Sequence, residues 1–555
     1  MLKVVQKVAI NVALAAAILV IGASAHAGAS SPRLVTEIQQ SPRFEIVRYE
    51  VSGNTLLHLD DMDRAFAPYV GKNKNFADVQ RALEALQGLY EAHGYGSVQV
   101  VMPEQELEQG AVKFVVVESR VAGVRIEGNK HRAEQNVLRS LPALRKGEIP
   151  NTNAIAAGVK LANENPSRKV AVRFNETEQE GELDATVKVT DSKPWSVGLA
   201  VDNTGTRETG HFRVSAGAQY ANLFDLDHVL SVQYQTSTGQ FSDDIKVLAA
   251  SYHIPLYAIG DSIDLMTMVS KASAPGTAGI NALIPGLSTV GNGSAYMFRY
   301  NHALPKRGTY EHKLSMGLDY RLFRSDATSS FGALGGVDVA LRPVSLTYAG
   351  FWQSEEQQLS FQMGAAANIE GARHGSESDI RAAITPPKNA YANADYRILR
   401  YGIDYSRVLP KEWQLHLALD GQYTNDVLVS YENFGMGGSQ SVRGFNEREL
   451  TGDKGVRGSI ELITPDVGGR VGEGVNLRGL VFVDAGRIMF NHPNATDFDE
   501  SVVSVGAGIR LGIKKAWSVR ADLAQAVDGN GHPATGAHFT RTGDLFLHVA
   551  VGYLF

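Results

Sequence analysis

Leu545, Leu547, Val549, Val551, Tyr553 and Phe555 fall on one face of a strict period-2 pattern, and Phe546, His548, Ala550, Gly552 and Leu554 fall on the other. Successive side chains of an extended chain point to opposite faces. One continuous apolar face opposite a small or mixed one is therefore the pattern of a strand with lipid on one side and a wet lumen on the other. An amphipathic strand at the edge of a soluble sheet has the same period, so this segment alone does not decide between them. The other end of the chain does. Lys3 and Lys7 precede an apolar run, Val8 to Ile21, which contains Asn11 and leads into Ala25-His26-Ala27, a small-residue cleavage pattern. Residues 1–27 are expected to be a removed signal peptide, with an exported chain beginning near Gly28.

Composition agrees with export to an envelope. The 555 residues contain no cysteine, which removes disulfide and thiolate-metal chemistry together and suits passage through an oxidising periplasm. Past the signal peptide no stretch is long and apolar enough for a membrane helix, and the mean hydropathy is -0.14. A barrel reconciles this value with membrane residence, because alternation hides apolar residues from hydropathy averages. Loss of Lys3 and Lys7 takes the net charge from -6 to -8, so no nucleic-acid partner is expected.

Between the signal peptide and residue 192 the pattern is mixed. Phe44 to Val51 reads as a strand stopped by Gly53-Asn54, followed by a short amphipathic helix near Asp60 to Tyr69. A longer helix is expected from Phe76 to His93, with Phe76, Val79, Leu83, Leu86 and Tyr90 at helical spacing and Gly94 as its C-cap. Strands at Ser97 to Met102 and Ala111 to Glu118 complete a β-α-α-β-β order. Val124 to Asn129 repeats the strand-to-turn junction, with Gly128-Asn129 lying 75 residues after Gly53-Asn54. Helical patterns at about 134–144 and 151–164 then precede strands at Arg168 to Phe174 and Glu182 to Thr190. Such a period means tandem modules. The unit resembles the POTRA domain of outer-membrane transporters, and Asn163-Glu164-Asn165-Pro166-Ser167-Arg168 sits where the second such domain often carries an Asn-Pro-Arg-like stretch. The expected organisation is a short segment at 28–42, POTRA-like domains at 43–119 and 120–192, and a transmembrane antiparallel β-barrel at 193–555.

From Trp195 onward helical periodicity almost vanishes. Alternating stretches recur at Trp195 to Val201, Trp413 to Tyr423, Val475 to Ala485, Val503 to Ile513 and Trp517 to Leu523. Arg510 falls on the small, polar face with Ser504, Gly506, Gly508 and Gly512, which fits a wet interior. At about 9–11 residues per membrane strand and as many again for extensions and connections, the remaining length implies roughly 16 strands and a lumen wide enough for a channel.

The strongest motif lies between two of these strands. Tyr431-Glu432-Asn433-Phe434-Gly435-Met436-Gly437-Gly438 leads into Val442-Arg443-Gly444-Phe445, and alternation resumes only near Val456. Farther on, Phe482-Val483-Asp484-Ala485-Gly486 places Phe482, Asp484 and Gly486 on the lumen face. Here the chain resembles the two-partner secretion transporters of the haemolysin-activator type, within the superfamily that also contains the barrel-assembly insertase. Their sixth extracellular loop carries a Val-Arg-Gly-Tyr/Phe tetrapeptide and folds back into the barrel, and a later strand carries Phe-x-Asp-x-Gly. Signal peptide, two modules, loop, barrel and terminal Phe555 follow in the family's order, and Phe555 resembles the signal read by the assembly machinery. The family often has a plug helix before the first module. Residues 28–42, with Pro32 and Pro42, are too short for one of full length.

A lone carboxylate inside a barrel needs a partner, and arginine is the best bidentate one. Arg443 is expected to reach Asp484, with Glu461 as an alternative, while Gly444 permits the turn and Phe445 packs on the wall. The resemblance implies a translocation pore in the outer membrane of a Gram-negative bacterium, with its POTRA domains in the periplasm. Its substrate would be a large, β-helical exoprotein, unfolded in transit and captured by strand addition. Its surroundings would be outer-membrane lipid, and its own insertion would depend on the barrel-assembly machinery. An insertase for other barrels is the alternative, although two modules are fewer than its usual five, and a plain porin would not need the repeats. No Gly-x-x-x-x-Gly-Lys-Ser/Thr and no cofactor or metal motif occurs, so neither nucleotide hydrolysis nor a cofactor is expected. His416, Asp522 and His548 are scattered and bring no nucleophile and base together, so no catalytic residue is expected.

Overall fold

The computed structural model describes residues 42–106, 110–179, 181–205, 209–239, 245–272, 292–324, 337–384, 386–493, 499–529 and 539–555. The expected signal peptide and the segment to residue 41 lie outside them.

The first module contains helices at Leu59–Phe66 and Phe76–Ala92, and its Arg48–Ser52 strand runs parallel to the start of Ala111–Val117. The strand expected over Phe44 to Val51 is two, Phe44–Ile46 and Arg48–Ser52. The first pairs with Gly71–Lys74, a short polar strand without an apolar period to reveal it. Tyr49 stacks between Phe66 and Phe114 at ring distances of 4.7 and 5.4 Å. In the second module Glu182–Asp191 is the central strand, parallel to Arg120–Glu127 and antiparallel to Arg168–Glu176. Helices Glu134–Arg139 and Thr152–Asn163 cover it, and the Asn151 side chain caps the latter by accepting from the Ala154 amide. Val137, Leu141, Ile155, Val170, Val187 and Val189 form its core.

The Gly-Asn repeat has a structural counterpart. Gly53 and Gly128 both adopt a left-handed backbone, with φ of 83° and 86°. A β-carbon at either would collide with a carbonyl oxygen of a neighbouring strand, that of Val116 or of Val189. Glu118 accepts from the Thr55 and Leu56 amides, and the buried Tyr90 hydroxyl donates to Asn54 at 2.6 Å, closing the first turn.

The rest is a closed antiparallel barrel of 16 strands, running from Trp195–Asp202 to Leu545–Leu554. One strand is divided at Arg342 into Val339–Leu341 and Pro343–Gln353. Alternation holds as expected: Val481 and Val483 point outward, while Phe482 and Asp484 are buried inward. The first and last strands close the wall over the short register Ala550↔Asp202 to Leu554↔Gly198. Asn203 extends this seam, its side-chain Nδ2 donating to Leu547 O at 2.6 Å and its Oδ1 accepting from the Val549 backbone amide at 2.7 Å. Phe555 lies beside the seam and donates its amide to Val197 O at 2.8 Å.

Because the two glycines serve the same junction, Gly53→Ala and Gly128→Ala should each destabilise their own module by roughly 2–4 kcal/mol. Protease cleavage of the detergent-solubilised full-length protein across a urea series should show that module opening at lower urea while the barrel stays intact.

Candidate functional site

The loop between Gln414–Tyr423 and Lys454–Ile463, the sixth at that end of the barrel, folds back into the lumen. Its arms Phe434–Met436 and Leu450–Gly452 pair as a small hairpin. Below it, positive φ at Gly437, Gly438 and Gly444 turns the chain so that Val442 to Phe445 meet the wall. Met436, Val442 and Phe445 are buried against Ile488, Val502 and Ala526, so an apolar cluster seats the tip.

Arg443 makes the polar half of the contact. Its Nε donates to Asp484 Oδ2 at 2.7 Å and its Nη2 to Asp484 Oδ1 at 2.8 Å, while its backbone amide adds a third bond to Oδ2 at 3.0 Å. Nη1 lies 2.6 Å from Glu461 Oε1. The two expected partners are therefore engaged together. The guanidinium sits 3.4 Å from the centre of the Phe482 ring, a cation–π contact, and Ser459 bridges Nη2 and Asp484 Oδ1. Asp484 is 0% exposed, so its interactions are shielded from solvent.

Small residues make the room. A side chain at Gly506 would enter the Phe482 ring, and one at Gly486 would strike Met436 Sδ at 2.5 Å. Gly444 packs on Ala524 and Ser504, and its amide donates to His548 Nε2 at 3.2 Å. Val442, Arg443, Gly444 and Phe445 thus meet Phe482, Asp484 and Gly486 at one site.

Sequence reasoning missed the ring around it. Asp522, paired in register with His548, binds Arg510 at 2.7 Å and Arg520 at 2.8 Å, and Arg520 donates to Ser439 O of the loop. His416 bridges Glu461 at 3.2 Å and Asp404 at 2.7 Å. Arg443, Arg510 and Arg520 oppose Glu461, Asp484 and Asp522, so the charges of the inner cluster cancel. Alternation places all of these on the inner face, but it does not say which reach the loop.

The loop is held elsewhere as well. Arg457 donates to Gly435 O and Ser441 Oγ, and Glu449 accepts from the Thr540 amide and hydroxyl, both at 2.6 Å. Near its start, buried Glu432 binds Arg321 and Arg400, each at 2.7 Å. Val427, Leu428 and Val429 pack with Ile380, Ala383 and Tyr396 of the preceding outer loop. No group of His, Asp and Glu among the described residues has a metal-binding arrangement.

A family model described as haemolysin secretion/activation protein ShlB/FhaC/HecB matches residues 181–511, more than half of the chain, and one for the ShlB-type POTRA domain matches residues 44–119. The chain is 20% identical over 524 residues to the heme/hemopexin transporter protein HuxB of Haemophilus influenzae, spanning 90% of this chain and 87% of that one. It is 23% identical over 462 residues to the hemolysin transporter protein ShlB of Serratia marcescens, with coverage of 79% and 76%. The solved structure of CdiB from Escherichia coli superposes with a TM-score of 0.73 at 20% identity, covering 95% of this chain and 93% of that one. CdiB from Acinetobacter baumannii superposes with a TM-score of 0.70 at 15% identity, covering 100% and 98%. With this barrel, this inward loop and these matches, the chain belongs to the haemolysin secretion/activation family of outer-membrane transporters.

Proposed function

We propose that this protein is the outer-membrane pore of a two-partner secretion system, and that its Arg443-centred cluster sets the position of the loop inside the pore. The family model across the barrel carries the first part, and the three Arg443 bonds to a fully buried Asp484 support the second. A large exoprotein reaches the periplasm unfolded, engages the POTRA modules as an extended segment and passes outward through the lumen. Strand addition reads backbone rather than side chains, so it tolerates a varied substrate while requiring extended structure. Without a nucleotide-binding motif, the drive is substrate folding at the cell surface, which withdraws translocated chain from the reverse path. Lipid surrounds the outward apolar face, and Phe555 directs insertion by the barrel-assembly machinery.

The insertase reading has less support, because the matching family model is one of secretion and activation proteins. His416, Asp522 and His548 favour the pore over a hydrolase, since their neighbours are the charges that hold the loop. Mass spectrometry of culture supernatants and surface fractions with and without the gene should show selective loss of one large exported protein. A general loss of outer-membrane barrels would instead support the insertase.

Arg443→Ala leaves Asp484 buried with only the backbone amide and Ser459, a loss of roughly 3–5 kcal/mol of loop-to-wall interaction. Arg443→Ala and Asp484→Ala should each lower secretion strongly while the barrel still shows heat-modifiable migration on gels. Full secretion by both variants would remove the cluster from the mechanism.

A further inference from the structure

The Asn165-Pro166-Ser167-Arg168 stretch takes no part in the loop cluster. It meets the barrel at the inner ends of the strands. Arg168 Nη2 lies 2.8 Å from Asp227 Oδ2, and Arg132 Nε lies 3.0 Å from Asp227 Oδ1. Both guanidiniums are 0% exposed and the carboxylate is 1% exposed. One barrel carboxylate therefore holds two arginines of the second module.

The module preorganises those arginines with its own acceptors. Arg132 Nη2 donates to Asn165 Oδ1 and Ser167 Oγ, and Arg168 donates to Asn136 Oδ1 and Ala162 O. The barrel supplies the complement from the first of its inner-end connections, between Arg213–Leu223 and His228–Ser237. Phe224, Asp225 and Asp227 there have φ of 59°, 53° and 60°, a left-handed backbone uncommon for non-glycine residues. Asn222 braces this turn by donating to Asp225 Oδ1 and accepting from the Asp227 amide. In that shape Asp225 O accepts from Asn136 and Arg139, while Ala221 O accepts from Asn165 at 2.6 Å. The second connection contributes Tyr257, which donates to Asp227 Oδ2 and accepts from Arg168. Next to the third, Lys160 pairs with Glu311 at 3.0 Å.

Two buried arginines against one carboxylate leave an excess positive charge in a dry site, which a folding core does not need. The arrangement instead fits recognition between two preformed parts, where a bidentate fork fixes orientation as well as distance. We propose that Arg132, Arg168 and Asp227 are positioning residues that hold the second module in one orientation at the pore mouth throughout secretion. This rests on the secretion reading, but its first test does not.

The absence of native cysteine permits a clean cross-linking experiment. Lys160→Cys and Glu311→Cys would be joined by a short bismaleimide in the full-length protein, with Asp227 intact and with Asp227→Asn. Removing the shared carboxylate should slow cross-linking about tenfold or more, as expected for loss of a buried pair. Secretion of the exoprotein should fall in parallel while heat-modifiable barrel migration is retained. Cross-linked Asp227→Asn transporter should recover secretion, which a role in folding alone would not allow. Arg132→Gln, which keeps the Arg168 pair, should give a smaller change in the same direction. Unchanged cross-linking in Asp227→Asn would overturn the proposal, as would failure of the cross-link to restore secretion. Arrest of the otherwise unaltered transporter by the cross-link would show that the module must undock, and would overturn it equally.

Discussion

Asp484 is a carboxylate with no exposed surface, on the inner wall of the barrel. Such a charge is tolerable only with a dedicated counter-charge and full hydrogen bonding. Arg443 meets that requirement from a loop, so the wall can be satisfied only when the loop is home. The apolar seat of Phe445 and Val442, the glycines at 486 and 506 and the cation–π contact with Phe482 all depend on that one placement. Chemistry that elsewhere in a protein would be a structural ion pair here couples the wall of a channel to the element inside it.

The same logic explains why so many charges face the lumen. A transport path must stay wet and adhere to nothing strongly, so its fixed charges are best neutralised by each other. Arg510 and Arg520 share Asp522, and His416 lies between Glu461 and Asp404, so the wall around the loop presents paired rather than free charge. Bonds from Glu432, Glu449 and Arg457 distribute the hold along the loop, so release of the tip alone need not release the whole segment.

Much of this was legible in the sequence because a barrel strand has only two faces. Alternation alone put Phe482, Asp484 and Gly486 inward, and the Gly-Asn spacing located two equivalent junctions whose glycines share one backbone constraint. The sequence offers Arg443 both Asp484 and Glu461, since alternation gives a face but not a depth. In the folded chain one guanidinium has enough donors for both. His548, Asp522 and His416 looked scattered because barrel closure sets their proximity. His548 joins the site only when the last strand pairs with the first and with Trp517–Asp528. Gly71–Lys74 was missed for a different reason: a four-residue polar edge strand carries no apolar period.

The most direct test of the central claim is a distance. Spin labels at Gln440→Cys on the inward loop and Lys514→Cys on an inner turn of the barrel, measured by pulsed electron resonance in lipid, report loop position without any secretion assay. The account predicts one narrow distribution in the otherwise native chain and a broadened, shifted one when Arg443→Ala is added. Identical narrow distributions in both would show that the loop holds its place without the Arg443–Asp484 pair, and would contradict the account.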